Sequence, residues 1–208
     1  MKKLYNFKIM FSKKGGKKTI GRMLFSLPVL FIFIFIVGSL ACLYAISVMP
    51  GSDAFMSFNR SRVMIVQDQV IKNEVYSAVS MLDALNNKVS SGELTMAKAK
   101  KLGADLLRDM RYGVDGEGYF FADTTDGVNV VLYGDKSVEG KSRLNDNVNG
   151  IFYVKNLIKA GQTASGDFSN YWYPKQGGSV AKEKRAFSLE YKPFGWVVGT
   201  GYYLEDIK

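Results

Sequence analysis

The chain alternates between long stretches of one hydrophobic pattern and abrupt changes to another. From Leu24 to Met49 no position carries a charge. As a helix this run extends about 39 Å at ~1.5 Å per residue, enough to cross a ~30 Å hydrocarbon core with tilt. Pro28 lies near its start, where a missing backbone donor costs least. From about Asp53 to Val89, Phe55, Phe58, Arg62, Val66, Val70, Val75, Val79 and Leu82 recur at three- to five-residue steps, with no Pro or Gly between them. That spacing predicts one long helix with a single apolar face, continuing out of the apolar run. Ser90-Ser91-Gly92 ends it. Thr95 is placed to cap a second helix to about Arg111, with Met96, Leu102, Leu106 and Leu107 facing inward.

Beyond Arg111 the period falls to two. Tyr119–Asp123 reads as a strand, Thr124–Gly127 as a tight turn and Val128–Tyr133 as the returning strand. Gly134–Asn149 is loop-like, and Gly150–Gly161 brackets a short helix containing Ile151, Val154, Leu157 and Ile158. Three more strands follow at Asp167–Tyr173, Lys184–Tyr191 and Trp196–Tyr203, with turns at Gln176–Ser179 and Pro193–Gly195. Two helices leading into five hairpin-linked strands predict an α+β fold, a mainly antiparallel five-stranded sheet with flanking helices.

The net charge of +9 suggests a nucleic-acid binder until its distribution is considered. Lys2, Lys3, Lys8, Lys13, Lys14, Lys17, Lys18 and Arg22 precede residue 23 with no acid among them, and the remaining basic residues nearly balance 19 acidic ones. A basic tail on a near-neutral body is a topology signal, not a nucleic-acid footprint. Residues 1–23 therefore read as a cytoplasmic tail, 24–49 as a transmembrane helix and 50–208 as a periplasmic or extracellular domain. A cleaved signal peptide, a lipoprotein signal and a buried soluble helix compete with this anchor. The apolar run is long for the first, Ser39 stands where the second needs an apolar residue before Cys42, and the third rarely runs so far without a charge. Cys42 is the only cysteine and there is no histidine. The exterior domain thus lacks an intrachain disulfide and the usual zinc and general-base arrangements, so no cofactor or metal is expected and an enzyme is disfavoured.

Two glycine-bounded, aromatic-rich stretches stand out: RYGVDGEGYFFADTTDG at Arg111–Gly127 and KPFGWVVGTGYYLEDI at Lys192–Ile207. Between them lie Val138-Glu139-Gly140-Lys141, Asn145–Gly150, the YWYPKQG segment at Tyr171–Gly177 and Lys184. In this order the segments resemble the single Cache domain of bacterial chemoreceptors (methyl-accepting chemotaxis proteins) and sensor histidine kinases, from about Asp53 onward. The resemblance implies a PAS-like sheet, a small-molecule sensor working as a homodimer through the long helix, and a ligand of the acetate, propionate, lactate or pyruvate class. It also implies that Lys208 falls where members of the family enter a second membrane span and a signalling region. The departures are specific: a His-Pro pair common after the second strand is replaced by Tyr133-Gly134, a tryptophan of the third strand by Tyr173, and a tyrosine of the fourth by Phe187.

A small carboxylate needs a fixed cation and hydroxyl donors in a partly dry pocket. Arg111, between the second helix and the first strand, is the leading anchor, though it could equally cap that helix's last carbonyls. Tyr119 and Phe121 share one strand face, Tyr133 ends the second strand, and Tyr171 and Tyr173 share a face of the third. Lys141 and Lys184 could add a second charge. With 14 Phe and 12 Tyr in the chain, core packing is the competing role for any one aromatic, and solvated charge for either lysine. Trp196, Gly199 and Gly201 read as structural. Asp115-Gly116-Glu117-Gly118 reads as a turn, not a calcium loop, and Asp123 and Asp126 as residues bracketing a hairpin turn. The competing function is an anchored protein-interaction module that uses the aromatic sheet.

Overall fold

The computed structural model describes residues 16–48 and 50–207; the predicted basic tail lies outside them as far as residue 15. The chain divides into two units, residues 1–57 and 58–208. The first contains helix α1 (Gly16–Val48), in which Val29–Val48 has a mean hydropathy of 2.8 and nothing buried. It is apolar on every face, as a helix surrounded by lipid is, and is long and apolar enough to cross a membrane.

Helix α2 (Pro50–Ser90) is one uninterrupted element, as its pattern predicts. Its buried stripe is Ile71, Val75, Ala78 and Leu82, whereas Phe58, Val66 and Val70 are exposed. The sequence reading extended the inward apolar face too far towards the N-terminus: fully buried apolar residues of α2 begin at Ile71, and nearer the N-terminus the helix meets the sheet through polar contacts such as Asp68 with Arg185. Gly92 in the left-handed region (φ 79°) then turns the chain, and the Thr95 side chain accepts from the Lys98 amide to cap α3 (Met96–Asp109). Here too the expected face is corrected. Met96, Leu102 and Leu106 are largely exposed, and Ala99, Gly103 and Leu107 face inward. The reason is proximity: a Cβ on Gly103 would come 2.7 Å from the Leu82 side chain, so α3 approaches α2 through its small residues.

The strands are β1 (Arg111–Tyr112), β2 (Gly118–Tyr119), β3 (Phe121–Thr124), β4 (Asn129–Leu132), β5 (Asp167–Pro174), β6 (Ala181–Tyr191) and β7 (Trp196–Tyr203), with α4 (Tyr153–Gly161) between β4 and β5. The expected first strand is split. Gly118–Tyr119 pairs with Arg111–Tyr112 in a separate two-stranded ribbon, and Phe121–Thr124 enters the main sheet. That sheet is antiparallel throughout, in the order β4-β3-β7-β6-β5.

Both faces of the sheet are covered, and strand alternation decides which residue goes where. Ala122, Val131, Trp196 and Val198 pack with α2 and α3 around Leu82 and Leu107. Phe121, Leu132, Tyr171, Ala186 and Val197 pack with α4 around Val154 and Leu157. Gly199 and Gly201 are required by close approach, since a Cβ at the first would strike the Phe121 ring and at the second the Arg185 carbonyl.

Candidate functional site

On the α4 face of the sheet is a small cavity lined by Tyr119, Phe121, Asp123, Leu132, Arg143, Tyr153, Leu157, Tyr171, Tyr173 and Lys184. Its volume is ≈ 10 Å³, room for about one water. Strand geometry brings the wall together. Phe121 and Asp123 project from β3, Tyr171 and Tyr173 from β5, and Lys184 from β6 directly opposite Tyr171 in register.

Lys184 sits among tyrosines. It is 1% exposed and its ammonium donates to the Tyr119 hydroxyl at 2.6 Å. It lies 4.2 Å from the Tyr119 ring centroid, 5.0 Å from that of Tyr203 and 6.0 Å from that of Tyr173. Among the described residues it has no carboxylate partner. Desolvated cation–π contacts offset part of the cost of burying an ammonium, but they leave its charge uncompensated.

Arg143 is the second cation, and the sequence reading missed it. Its Nε donates to Asp146 at 2.9 Å and a terminal nitrogen to the Tyr153 hydroxyl at 2.6 Å, while that hydroxyl donates to the same carboxylate at 3.1 Å. Tyr153 stacks on Tyr171 with ring centroids 5.4 Å apart and 8° between planes. Burial pushes the hydroxyls of Tyr153, Tyr171 and Tyr173 above the usual phenol range, so all three remain O–H donors at neutral pH. The loop bearing Arg143 is tied to the sheet: Arg143 N–H donates to the Gly127 carbonyl, and Asn129 N–H to that of Lys141.

Asp123 is a correction. It is 2% exposed and belongs to the cavity rather than to the turn, whereas Asp126 accepts from Thr124 within the turn as expected. A bulge explains its setting. Between the pairs Ala122↔Val131 and Asp123↔Asn129, β4 has one extra residue, which rotates Asn129 to the face of Asp123. The Asn129 amide then donates to Asp123 Oδ1 at 2.9 Å. Burial, offset in part by this hydrogen bond and by the charge of Arg143, pushes the Asp123 carboxyl up to about 6.

Of the eight expected residues, the structure gathers Tyr119, Phe121, Tyr171, Tyr173 and Lys184 at the cavity. It places Arg111 elsewhere. The Arg111 guanidinium donates to the Arg108 and Met110 carbonyls at 2.8 and 2.6 Å, capping α3, and stacks 3.4 Å from the centroid of Tyr133. Tyr133 lies outside the cavity and packs on Tyr119, and Lys141 is exposed. Beyond Tyr119 is a larger cleft of ≈ 710 Å³, bounded by Ile71, Tyr112, Tyr133, Gln176 and Tyr203; Tyr119 lines both spaces.

The opposite parity of β6 and β7 meets the long helix. Arg185, one residue from Lys184, forms a bidentate pair with Asp68 of α2 at 2.8 and 2.9 Å, and the hydroxyl of Tyr202, paired with Arg185 in register, donates to the same carboxylate at 2.9 Å. Phe187 also faces α2, near Tyr76 and Phe168.

A long helix, a two-sided antiparallel sheet and a small cavity on the sheet lined by two cations and a carboxyl define a PAS-like module. The chain belongs to the single Cache domain 2 family, whose profile matches residues 63–208. It is 30% identical over 138 residues to the sensor histidine kinase MctS of Rhizobium johnstonii, covering 66% of this chain and 29% of that protein. It is 23% identical over 139 residues to the methyl-accepting chemotaxis protein McpP of Pseudomonas putida, covering 66% of this chain and 25% of that protein. The match thus spans under a third of either relative. Among solved structures, a Cache chemosensory domain described for its recognition of carboxylic acids superposes with a TM-score of 0.64 at 19% identity, over 69% of this chain and 97% of that one. A methyl-accepting chemotaxis protein of Vibrio parahaemolyticus gives 0.64 at 24% identity, over 73% and 98%.

Proposed function

We propose that residues 58–208 sense a short-chain monocarboxylate of the acetate, propionate, lactate or pyruvate class, bound between Lys184 and Arg143. The observation that carries this reading is the Lys184 ammonium, buried without a carboxylate partner among the described residues. An anionic ligand would give Lys184 the direct ion-pair partner it lacks, and Arg143 and the tyrosine hydroxyls would satisfy its remaining lone pairs. The carboxylic-acid description of one structural neighbour supports the same class.

Because the cavity holds about one water, a ligand has to displace its walls, and that displacement is the signal. In this reading Val29–Val48 anchors the protein with its basic tail in the cytoplasm and its sensor outside, α2 serves as the homodimer helix, and the domain binds without catalysis. The output is chemotaxis. The kinase relative favours a second reading, in which the same module feeds a sensor kinase.

The test is calorimetric titration of the full chain in lipid nanodiscs with each of the four acids. Binding by the wild type and its loss in Lys184→Met supports the assignment. Equal binding by the variant, or none of the four acids bound by a folded wild type, refutes it.

A further inference from the structure

Of the three charged residues lining the cavity, one is paired with a carboxylate behind the wall and two are not paired. Arg143 is held by Asp146 and Tyr153. Lys184 has no carboxylate partner, and Asp123 receives a single side-chain hydrogen bond, from Asn129 on Oδ1, leaving Oδ2 without a donor among the described residues. The groups facing Asp123 are few. β7 contributes the uncharged Val197, opposite Asp123 in register, and β4 the Asn129 amide. The loop contributes Arg143 and Asp146, and the cavity wall Lys184 with the hydroxyls of Tyr119, Tyr153, Tyr171 and Tyr173.

Before a ligand enters, the lone charges of Lys184 and ionised Asp123 cancel in the sum over the cavity wall, although no ion pair joins them. The inference rests on the carboxylate reading above: once a ligand anion occupies Lys184, Asp123 becomes a second buried anion in the same small space, while Arg143 is already matched by Asp146. Two carboxylates in a shared dry site do not both stay ionised; one takes a proton. An acceptor for that proton is at hand. Asn129 Oδ1 is buried with no hydrogen-bond partner, and it belongs to the side chain that already donates to Asp123. A neutral carboxyl and a primary amide each offer one donor and one acceptor to the other. Burial, which holds this carboxyl up at about 6, places the proton within reach at neutral pH.

We propose that Asp123 is the proton-accepting residue of the binding site, and that the cavity takes up a monocarboxylate anion together with one proton. The proton leaves the buffer acid and joins an Asp123 carboxylate oxygen, so the site gains no net charge.

Calorimetric titration with propionate at pH 7.0, on the full chain in nanodiscs and in two buffers of different ionisation enthalpy, counts the protons. The expected uptake is close to one per propionate, with affinity weakening roughly tenfold per pH unit above the Asp123 pKa. Asp123→Asn is expected to bind with no uptake and a flat pH profile. Binding heat independent of the buffer overturns the inference while leaving the carboxylate reading intact, and that measurement needs only the wild type. A pH profile unchanged in a folded Asp123→Asn overturns it as well. Wild type that binds none of propionate, acetate, lactate and pyruvate even at pH 5.5 overturns both.

Discussion

The Lys184 ammonium and the Tyr119 hydroxyl, 2.6 Å apart, close the partition between the small cavity and the larger cleft. Tyr119→Ala removes that partition and joins the two spaces. The expected result is weaker binding of two- and three-carbon acids, by about tenfold for one lost charge-assisted hydrogen bond, with longer acids newly admitted. Titration with a homologous series of acids reads this directly, and an unchanged chain-length preference would count against the partition.

Arg143 and Lys141 are two residues apart and have opposite fates. Arg143→Ala leaves Asp146 and the Tyr153 hydroxyl without their shared donor, with an expected loss of about 3 kcal/mol of stability along with ligand affinity. Lys141→Ala, at an exposed position, should leave both within about 0.5 kcal/mol. Chemical denaturation of the pair of variants checks the contrast.

Asp123 makes stability depend on pH even without ligand. Its carboxyl is raised from 3.8 to about 6 in the folded protein, mainly by burial, so the folded state binds the proton more tightly than the unfolded chain does. That contribution is fully present below about pH 4 and is lost as pH rises towards 6, a change on the order of 3 kcal/mol. Asp123→Asn should abolish this slope. Denaturation midpoints from pH 4 to 7 for the two proteins measure it.

Much of this architecture was legible in the sequence, and the failures share a cause. Helix α2, the cap at Thr95, the turn at Thr124–Gly127 and strand β7 follow from local rules that hold wherever the segment packs. The faces of α2 and α3 do not. Phe58 and Leu102 are as apolar as Leu82 and Leu107, and only the reach of the sheet and the Gly103–Leu82 approach decide which are covered. The site divides in the same way. Tyr119, Phe121, Tyr171, Tyr173 and Lys184 lie on or beside strands, where alternation assigns a face. Arg143 comes from a loop whose hydrogen bonds to Gly127 and Asn129 cannot be read from composition, although its spacing to Asp146 was a signal. Asp123 was hidden by its nearness to a turn, and the bulge that turns Asn129 towards it has no mark in the pattern.

Asp68→Asn tests the route from sheet to helix. The substitution removes the charge from the pair with Arg185 while leaving the cavity face of β6 untouched. Ligand affinity is expected to stay within about threefold, while the ligand-induced change on α2, followed by spin labels on that helix, falls sharply. Loss of affinity and response in equal measure would argue that Asp68 serves only to hold the fold.

The alternation along β6 gives this route its length. Lys184 and Arg185 are consecutive, one pointing to the cavity and the other to Asp68. In the sensing mechanism proposed above, input and output are therefore separated by a single peptide unit, across the thickness of one strand. A strand that tilts under pressure on one side must swing its other side the opposite way, like a seesaw on its own backbone. On that proposal the sensor needs no relay of intermediate residues, and the quantity that would tune it is how stiffly β5 and β7 hold β6 in place.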